Sequence, residues 1–158
     1  MRTQKLPEDK MKNCENTLRV SFESLSRNES LARSLASAFI AQLDPTVAEL
    51  ADVKCAVSEA VTNCTVHAYR DTVGTVYMTM RAYSDRSVRI EIRDRGCGIE
   101  DIEKAMQPLY TTDTDGERSG MGFTVMENFT DGVRVVSRPG KGTKVSLTKK
   151  LSPLGSDT

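Results

Sequence analysis

The spacing of apolar residues constrains the fold of this chain more than any other feature of its sequence. Apolar and polar residues alternate over residues 18–22, which is typical of a strand with one buried face. Apolar residues then recur at intervals of three and four over residues 31–43 and again over residues 50–64. This period predicts two amphipathic helices. The folded part therefore begins with one strand followed by two helices.

The residues at the predicted helix starts support these two helices. Ser26 and Glu29 have the spacing of a capping box, in which each side chain satisfies a backbone N–H of the first turn. Asp44 stands before Pro45, so we expect Asp44 to cap the second helix and Pro45 to occupy its first position, where the missing N–H costs nothing. The second helix should fade near Ala68.

The rest of the chain predicts four more strands. Alternation returns over residues 76–82 and 88–92, and again over residues 133–137 and 143–147. A glycine-bearing stretch and a short helix over residues 123–129 separate the two pairs. Helices on one face of a mixed, mostly antiparallel sheet form a two-layer α+β sandwich, which is the fold class that we predict.

Length and charge bound the possible classes of protein. A chain of 158 residues has the size of one ordinary domain. We expect a disordered leader over residues 1–13, one folded domain over residues 14–151 and a disordered tail over residues 152–158. The 22 basic side chains balance the 22 acidic ones, so no overall charge points to nucleic acid or to an anionic membrane.

Hydropathy and cysteine spacing bound the location. No apolar run approaches the length needed to cross a bilayer, and the start lacks a secretory signal, so we expect a cytoplasmic protein. The four cysteines lack the paired spacing of a zinc site, and we expect reduced, mostly buried thiols. They are Cys14, Cys55, Cys64 and Cys97.

The second predicted helix carries polar side chains that suit chemistry. Glu59 and Asn63 are four residues apart and so lie on one side of a helix, and His67 continues that line. On most helices such residues form an exposed polar stripe, and for His67 a structural role is favoured. A carboxylate can nevertheless accept a proton from an attacking hydroxyl, and a side-chain amide oxygen is a suitable ligand for Mg²⁺.

Two glycine-rich segments offer places for a flat ligand and for phosphate. Gly96 and Gly98 follow Asp94 at the end of a predicted strand, where the carboxylate could accept a hydrogen bond from an exocyclic amine such as that of adenine. An ordinary Asx turn would leave the same pattern. Residues 111–122 run into a helix N-terminus, and a helix N-terminus favours phosphate. The segment is long enough to act as a lid, or it could be a flexible surface loop. This segment does not match the P-loop pattern.

Taken together, these motifs resemble those of the Bergerat-fold ATPases, the superfamily that includes gyrase B, the Hsp90 chaperones, MutL and the histidine kinases. The motifs that carry the resemblance are, in chain order, Glu59-x-x-x-Asn63, Asp94-x-Gly96-x-Gly98, Ser119-Gly120-Met121-Gly122 and Gly142-Thr143. Within the superfamily, residues 18–151 are similar to the sporulation-type anti-sigma serine kinases. The segments that match best cover residues 28–33, 42–45, 58–63 and 117–129.

The resemblance implies a homodimeric, ATP- and Mg²⁺-dependent protein with two outputs. Such a protein binds and inhibits a sporulation sigma factor and phosphorylates a serine on an anti-sigma factor antagonist. By position, Glu59 would be the catalytic base, Asn63 the Mg²⁺ ligand and Asp94 the residue that reads adenine. The other ATP-binding positions would be Gly96, Gly98, Thr112, Arg118, Gly120, Gly122 and Thr143. Arg33, on the first helix, would contact the partner proteins.

Three alternatives stay open at the level of the sequence. The general-stress anti-sigma kinases share every ATP motif, although residues 28–33 and 117–129 favour the sporulation type. A nucleotide-gated module could bind a sigma factor without transferring phosphate, although binding alone needs no base such as Glu59. A detached histidine-kinase catalytic domain would act with a dimerisation helix pair, which this sequence does not encode.

Overall fold

The computed structural model describes residues 13–107 and 122–155, so most of the predicted leader and residues 156–158 lie outside it. The elements are, in chain order, β1 (Cys14–Glu23), α1 (Arg27–Ala41), α2 (Val47–Thr62), a π-helical segment (Asn63–Ala68), β2 (Thr75–Tyr83), β3 (Ser87–Arg93), α3 (Ile102–Ala105), α4 (Gly122–Phe129), β4 (Gly132–Arg138) and β5 (Gly142–Lys150). Within the described ranges, the strands form one sheet in the order β1-β2-β3-β5-β4. Each neighbouring pair is antiparallel.

The core lies between one face of this sheet and the helices. Met78 and Met80 of β2 pair with Ile92 and Ile90 of β3, and all four side chains are at most 2% exposed. They belong to the same buried cluster as the predicted apolar stripe of α2. Burying a side chain of this kind contributes about 1.5–3 kcal/mol to stability. The alternating residues of the strands and the periodic residues of α2 therefore stabilise the fold by packing into one shared core. The predicted two-layer α+β sandwich is confirmed.

The start of α2 differs from the prediction. Thr46 is the N-cap, and its Oγ1 accepts from the backbone N–H of Glu49 at 3.1 Å. The Glu49 carboxylate accepts in return from the backbone N–H of Thr46 at 3.1 Å. Asp44 instead has a φ of 50°, in the left-handed region, and stands outside the helix. The capping box therefore lies two residues after the predicted cap.

The predicted capping box at the start of α1 is also wrong. Ser26 is at the N-cap position, but its side chain makes no capping hydrogen bond. The Glu29 carboxylate accepts instead from the hydroxyls of Ser58 at 2.6 Å and Thr62 at 2.9 Å, both on α2. Glu29 thus joins the two helices to each other, and this tertiary contact takes the place of the local one.

The helical turn changes at the end of α2. Residues Asn63–Ala68 form a π-helical segment, so the second helical stretch ends where the sequence predicted. A π turn spans more residues than an α turn, so the four-residue spacing from Glu59 to Asn63 does not extend to His67. The backbone carbonyl of His67 accepts from the Cys97 thiol at 3.3 Å.

None of the helices in the described ranges has the length and apolar character required to cross a lipid bilayer.

The cysteines correct another expectation, because the chain buries fewer of them than predicted. Cys64 is buried, whereas Cys14, Cys55 and Cys97 are exposed and all four are free thiols. Cys55 lies on the outer side of α2, since its neighbour Lys54 is exposed and Ala56 is buried. The apolar character of cysteine alone therefore does not determine which of the four thiols are buried.

Candidate active site

The pairing of β3 with β5 brings Asp94 to Thr143. Asp94 directly follows β3, Thr143 is the second residue of β5, and the two strands are antiparallel neighbours. The backbone N–H of Asp94 donates to the carbonyl oxygen of Thr143 at 2.9 Å. The Asp94 Oδ1 atom accepts from the backbone N–H groups of Gly96 at 2.9 Å and Thr143 at 3.2 Å. Two segments that the sequence associated with nucleotide thus meet at one carboxylate.

The second oxygen of Asp94 faces the π-helical segment. Its Oδ2 accepts from the thiol of Cys64 at 3.5 Å, and the Asp94 residue is only 5% exposed. Burial raises the pKa of Asp94, while the hydrogen bonds from Gly96, Cys64 and Thr143 lower it in part. Burial, and then the nearby Asp94 carboxylate, raise the pKa of the Cys64 thiol well above its ordinary value, so this thiol is a protonated donor.

The turn after Asp94 is pressed between two other segments. A Cβ atom at Gly96 would overlap the backbone carbonyl of Ala68. Gly98 has a φ of +74°, and a Cβ atom there would overlap the backbone carbonyl of Arg138. Both glycines are therefore required by close backbone approach, and at Gly98 the left-handed conformation adds a second reason.

Replacing Gly98 with alanine should lower the free energy of unfolding by about 1–3 kcal/mol, because the new methyl group must displace backbone at a strained φ. Gly140→Ala is the matched control, since Gly140 has a φ of +75° but no atom within 4 Å of the added Cβ. Urea denaturation of both variants separates conformational strain from steric overlap. Equal losses in the two variants would contradict a close approach between Gly98 and Arg138.

Glu59 and Asn63 converge on the first residue of α4. A Cβ atom at Gly122 would lie 3.2 Å from Glu59 Oε2 and 3.6 Å from Asn63 Oδ1. The carboxylate and the amide oxygen predicted to lie side by side thus face the same helix N-terminus, where backbone N–H groups favour anions. The Asn63 Nδ2 atom is buried and has no hydrogen-bond partner within the described residues.

These residues fit a magnesium nucleotide. Carboxylate and amide oxygens are the hard ligands that Mg²⁺ takes, and they stand beside a helix N-terminus suited to phosphate. An unpaired buried amide costs about 1–3 kcal/mol, so the unpaired Asn63 amide is expected where a ligand completes the site. Gly122, which the resemblance assigned to the phosphates, lies next to both side chains. Thr112, Arg118 and Gly120 lie outside the described residues.

Sequence reasoning missed three residues of this site. Ser137 Oγ contacts Thr143 Oγ1 at 2.7 Å and accepts from the backbone N–H of Ile99 at 2.8 Å. Its signal was available, because a tight turn over residues 138–142 places Ser137 opposite Thr143. The Tyr69 hydroxyl donates to the carbonyl oxygen of Thr75 at 2.7 Å and accepts from the backbone N–H of Arg95 at 2.6 Å, and nothing in the sequence indicated it. Cys64 is the third, and its position directly after Asn63 was its only signal.

Arg33 lies on α1, away from the residues described above. It lines a groove of about 480 Å³ between α1 and α2. The other lining residues are Ser30, Ser34, Ala51, Lys54 and Cys55. The Arg33 guanidinium is 4.0 Å from the Glu29 carboxylate and its side chain is 42% exposed, so it is available to another molecule.

Comparisons with known proteins place the fold. The family model of the histidine kinase-like ATPase domain matches residues 22–149. The RsbU and RsbW domains of Rv1364c from Mycobacterium tuberculosis match with a TM-score of 0.64 at 20% identity, over 86% of this chain and 32% of that one. The catalytic domain of the histidine kinase ThkA matches with a TM-score of 0.54 at 16% identity, over 85% of this chain and 96% of that one. The fold and the family match define a histidine kinase-like ATPase domain.

Relatives with higher identity narrow the class. The anti-sigma F factor of Caldanaerobacter subterraneus subsp. tengcongensis is 56% identical over 137 residues, which are 86% of this chain and 94% of the relative. The anti-sigma F factor of Clostridium acetobutylicum is 51% identical over 87% of this chain and 96% of the relative. That of Bacillus licheniformis is 51% identical over 87% and 94%. The chain belongs to the anti-sigma F factor family.

Proposed function

We propose that this protein is a cytoplasmic, ATP-dependent anti-sigma factor that inhibits a sporulation sigma factor and phosphorylates a serine on an anti-sigma factor antagonist. The identity of its relatives as anti-sigma F factors supports the anti-sigma role. The observation that carries the kinase role is the convergence of Glu59 and Asn63 on the N-terminus of α4. A proton acceptor and a Mg²⁺ ligand are two of the recurring parts of sites that transfer phosphate to a hydroxyl.

One group of residues contacts the adenine of the nucleotide, and a second group contacts its phosphates and Mg²⁺. Asp94 accepts from the exocyclic amine of adenine, and we assign Gly96 and Gly98, which form the tight turn after Asp94, to the same ATP site following the family resemblance. Thr143 fixes the Asp94 carboxylate through its backbone N–H. Bound ATP supplies the phosphoryl group that is transferred.

At the phosphate end, Asn63 holds Mg²⁺ and Glu59 accepts the proton of the attacking serine hydroxyl. Gly122 leaves room above both side chains for phosphate at the N-terminus of α4. We assign Gly120 to the phosphates, Arg118 to the γ-phosphate and Thr112 to the same ATP site, following the family resemblance. The same resemblance supports a homodimer.

A phosphorylation assay tests the kinase role. The purified protein is incubated with the antagonist, Mg²⁺ and labelled ATP, and the labelled product is treated with acid and with alkali. Phosphate that survives acid and is lost in alkali is expected for serine. Acid-labile phosphate would indicate a histidine kinase instead, and ATP-dependent sigma-factor binding without any transfer would indicate a nucleotide-gated module.

Replacing Arg33 with glutamate should weaken binding of the sigma factor or the antagonist by at least about tenfold, because arginine is a frequent interface anchor and the charge is reversed. The affinity for ATP should not change, since Arg33 contacts none of the described site residues in the groove that it lines. Arg134→Glu, on the exposed side of β4, is the charge-matched control. Pull-down and calorimetry measure the two affinities, and lost ATP binding with intact partner binding would overturn this assignment.

A further inference from the structure

The thiol of Cys64 lies against the oxygen of Asp94 that the proposed site offers to adenine. Asp94 Oδ1 is held by the backbone N–H groups of Gly96 and Thr143. Among the described residues, Cys64 is the donor to Oδ2, with Sγ 3.5 Å away and the residue only 3% exposed. A carboxylate oxygen has two lone pairs, so Oδ2 can accept from Cys64 and from a base together.

The Cys64 proton has two acceptors within reach. Besides Asp94 Oδ2, Sγ is 3.5 Å from the carbonyl oxygen of Ala60, one helical turn earlier. A hydrogen bond to an ionised acceptor is stronger than one to a neutral carbonyl. The S–H group therefore points to Asp94 whenever the carboxylate is charged.

We propose that Cys64 is a positioning residue for adenine recognition, because its S–H fixes Oδ2 of Asp94 so that the other lone pair of that oxygen accepts from the base. The inference rests on the proposed function, since it takes Asp94 as the residue that reads adenine. With Oδ1 held from the sheet side and Oδ2 from the helix side, the carboxylate keeps one plane before any ligand arrives. Preorganisation of this kind lowers the ordering that binding requires.

The same contact predicts a pH effect. The titratable or charged side chains on the elements around Asp94 include Cys64, Glu59, His67, Tyr69, Arg93, Arg95, Cys97 and Lys144. The Glu59 carboxylate faces Gly122, and both guanidinium groups lie over the ring of Tyr77, at 5.2 and 5.0 Å. Burial raises the pKa of the Tyr69 hydroxyl, which leaves it neutral. Hydrogen bonds thus oppose the rise that burial causes in the pKa of Asp94, and the Cys64 thiol supplies one of them.

Removing the thiol donor should raise the pKa of Asp94 further. A protonated carboxyl is a poorer acceptor, so ATP binding should fail at a higher pH than in the wild type when the solution is acidified. A hydroxyl in place of the thiol is a stronger donor and should restore the wild-type behaviour. A side chain that only fills space would not give this order of effects.

The experiment compares wild type, Cys64→Ala and Cys64→Ser by calorimetry with Mg²⁺-ATP over a series of pH values. We expect Cys64→Ala to bind ATP roughly 3- to 10-fold more weakly near neutral pH, because a thiol is a weak donor to a charged acceptor. On acidification, Cys64→Ala should lose ATP binding at a higher pH than the wild type does. Cys64→Ser should match the wild type or bind ATP more tightly. Cys14→Ala, which removes an exposed thiol on β1, is the control and should match the wild type.

Two further variants separate this inference from the proposed function. Asp94→Asn should weaken ATP binding, and adding Cys64→Ala to it should weaken binding no further, because the shared contact is already gone. Unchanged affinity in Asp94→Asn would overturn the adenine assignment and this inference with it. If Asp94→Asn binds ATP weakly but Cys64→Ala matches the wild type, both in ATP affinity and in the pH below which binding is lost, only the role of Cys64 fails. Equal weakness of Cys64→Ser and Cys64→Ala would likewise assign Cys64 to packing and overturn the proposal.

Discussion

Replacing Glu59 with glutamine should slow phosphorylation of the antagonist by about 10²- to 10⁴-fold, because general-base assistance is typically worth that much in rate. Glutamine keeps the shape of the side chain, and its amide oxygen can take the place of the carboxylate oxygen that faces Gly122. ATP should therefore still bind, and inhibition of the sigma factor should survive. A kinase assay beside a sigma-factor pull-down, both with and without Mg²⁺-ATP, measures the two outputs.

Two further variants serve as a control and a comparison for Glu59→Gln. Glu127→Gln changes an exposed glutamate on α4 in the same way and should leave both outputs intact. Asn63→Ala removes the proposed Mg²⁺ ligand, so nucleotide binding and ATP-dependent sigma binding should weaken together. If Glu59→Gln phosphorylated the antagonist at close to the wild-type rate, Glu59 would not be the base and the nucleotide-gated module would become the better interpretation.

Replacing Asp94 with asparagine should weaken ATP binding by about 1–3 kcal/mol, which is the effect of mispairing a buried polar group. Asparagine retains an oxygen for the backbone N–H groups of Gly96 and Thr143, but it presents an NH₂ group where the carboxylate offered an acceptor. Calorimetry with Mg²⁺-ATP measures the loss. Asp52→Asn, which changes a carboxylate paired with Lys149 away from the site, should bind ATP as the wild type does.

The same Asp94 variant should change how the free energy of unfolding depends on pH. Burial raises the pKa of Asp94 in the folded protein. The folded state therefore favours the protonated form, and this contribution to stability is complete below the ordinary aspartate pKa and is lost as pH rises through the raised folded-state value. Asparagine carries no charge and avoids that loss. Urea denaturation at acidic and neutral pH should show the wild type losing stability relative to the variant as pH rises, and the opposite trend would mean that the hydrogen bonds outweigh burial.

The local pattern of this sequence was enough for much of the fold. Alternation in β2 and β3 identified which residues enter the core, because a strand exposes its two faces with a period of two. Helical spacing predicted that Glu59 and Asn63 lie side by side, whereas their contact with Gly122 appears only in the structure. The capping box at Ser26 was wrong because Glu29 pairs with Ser58 and Thr62 of α2, and that contact depends on how the helices pack. The cap at Asp44 was wrong because a local capping box between Thr46 and Glu49 starts the helix instead.

By itself, then, the sequence determined which local period each segment follows, because that period depends on near neighbours in the chain. Only the tertiary structure decided that Asp94 meets Thr143, 49 residues away, and Cys64, 30 residues away. The first contact requires β5 to insert between β3 and β4, and the second requires the π-helical segment to pack against the residue that follows β3. Strand order and a change of helical turn are set by long-range packing, which leaves no period in the sequence.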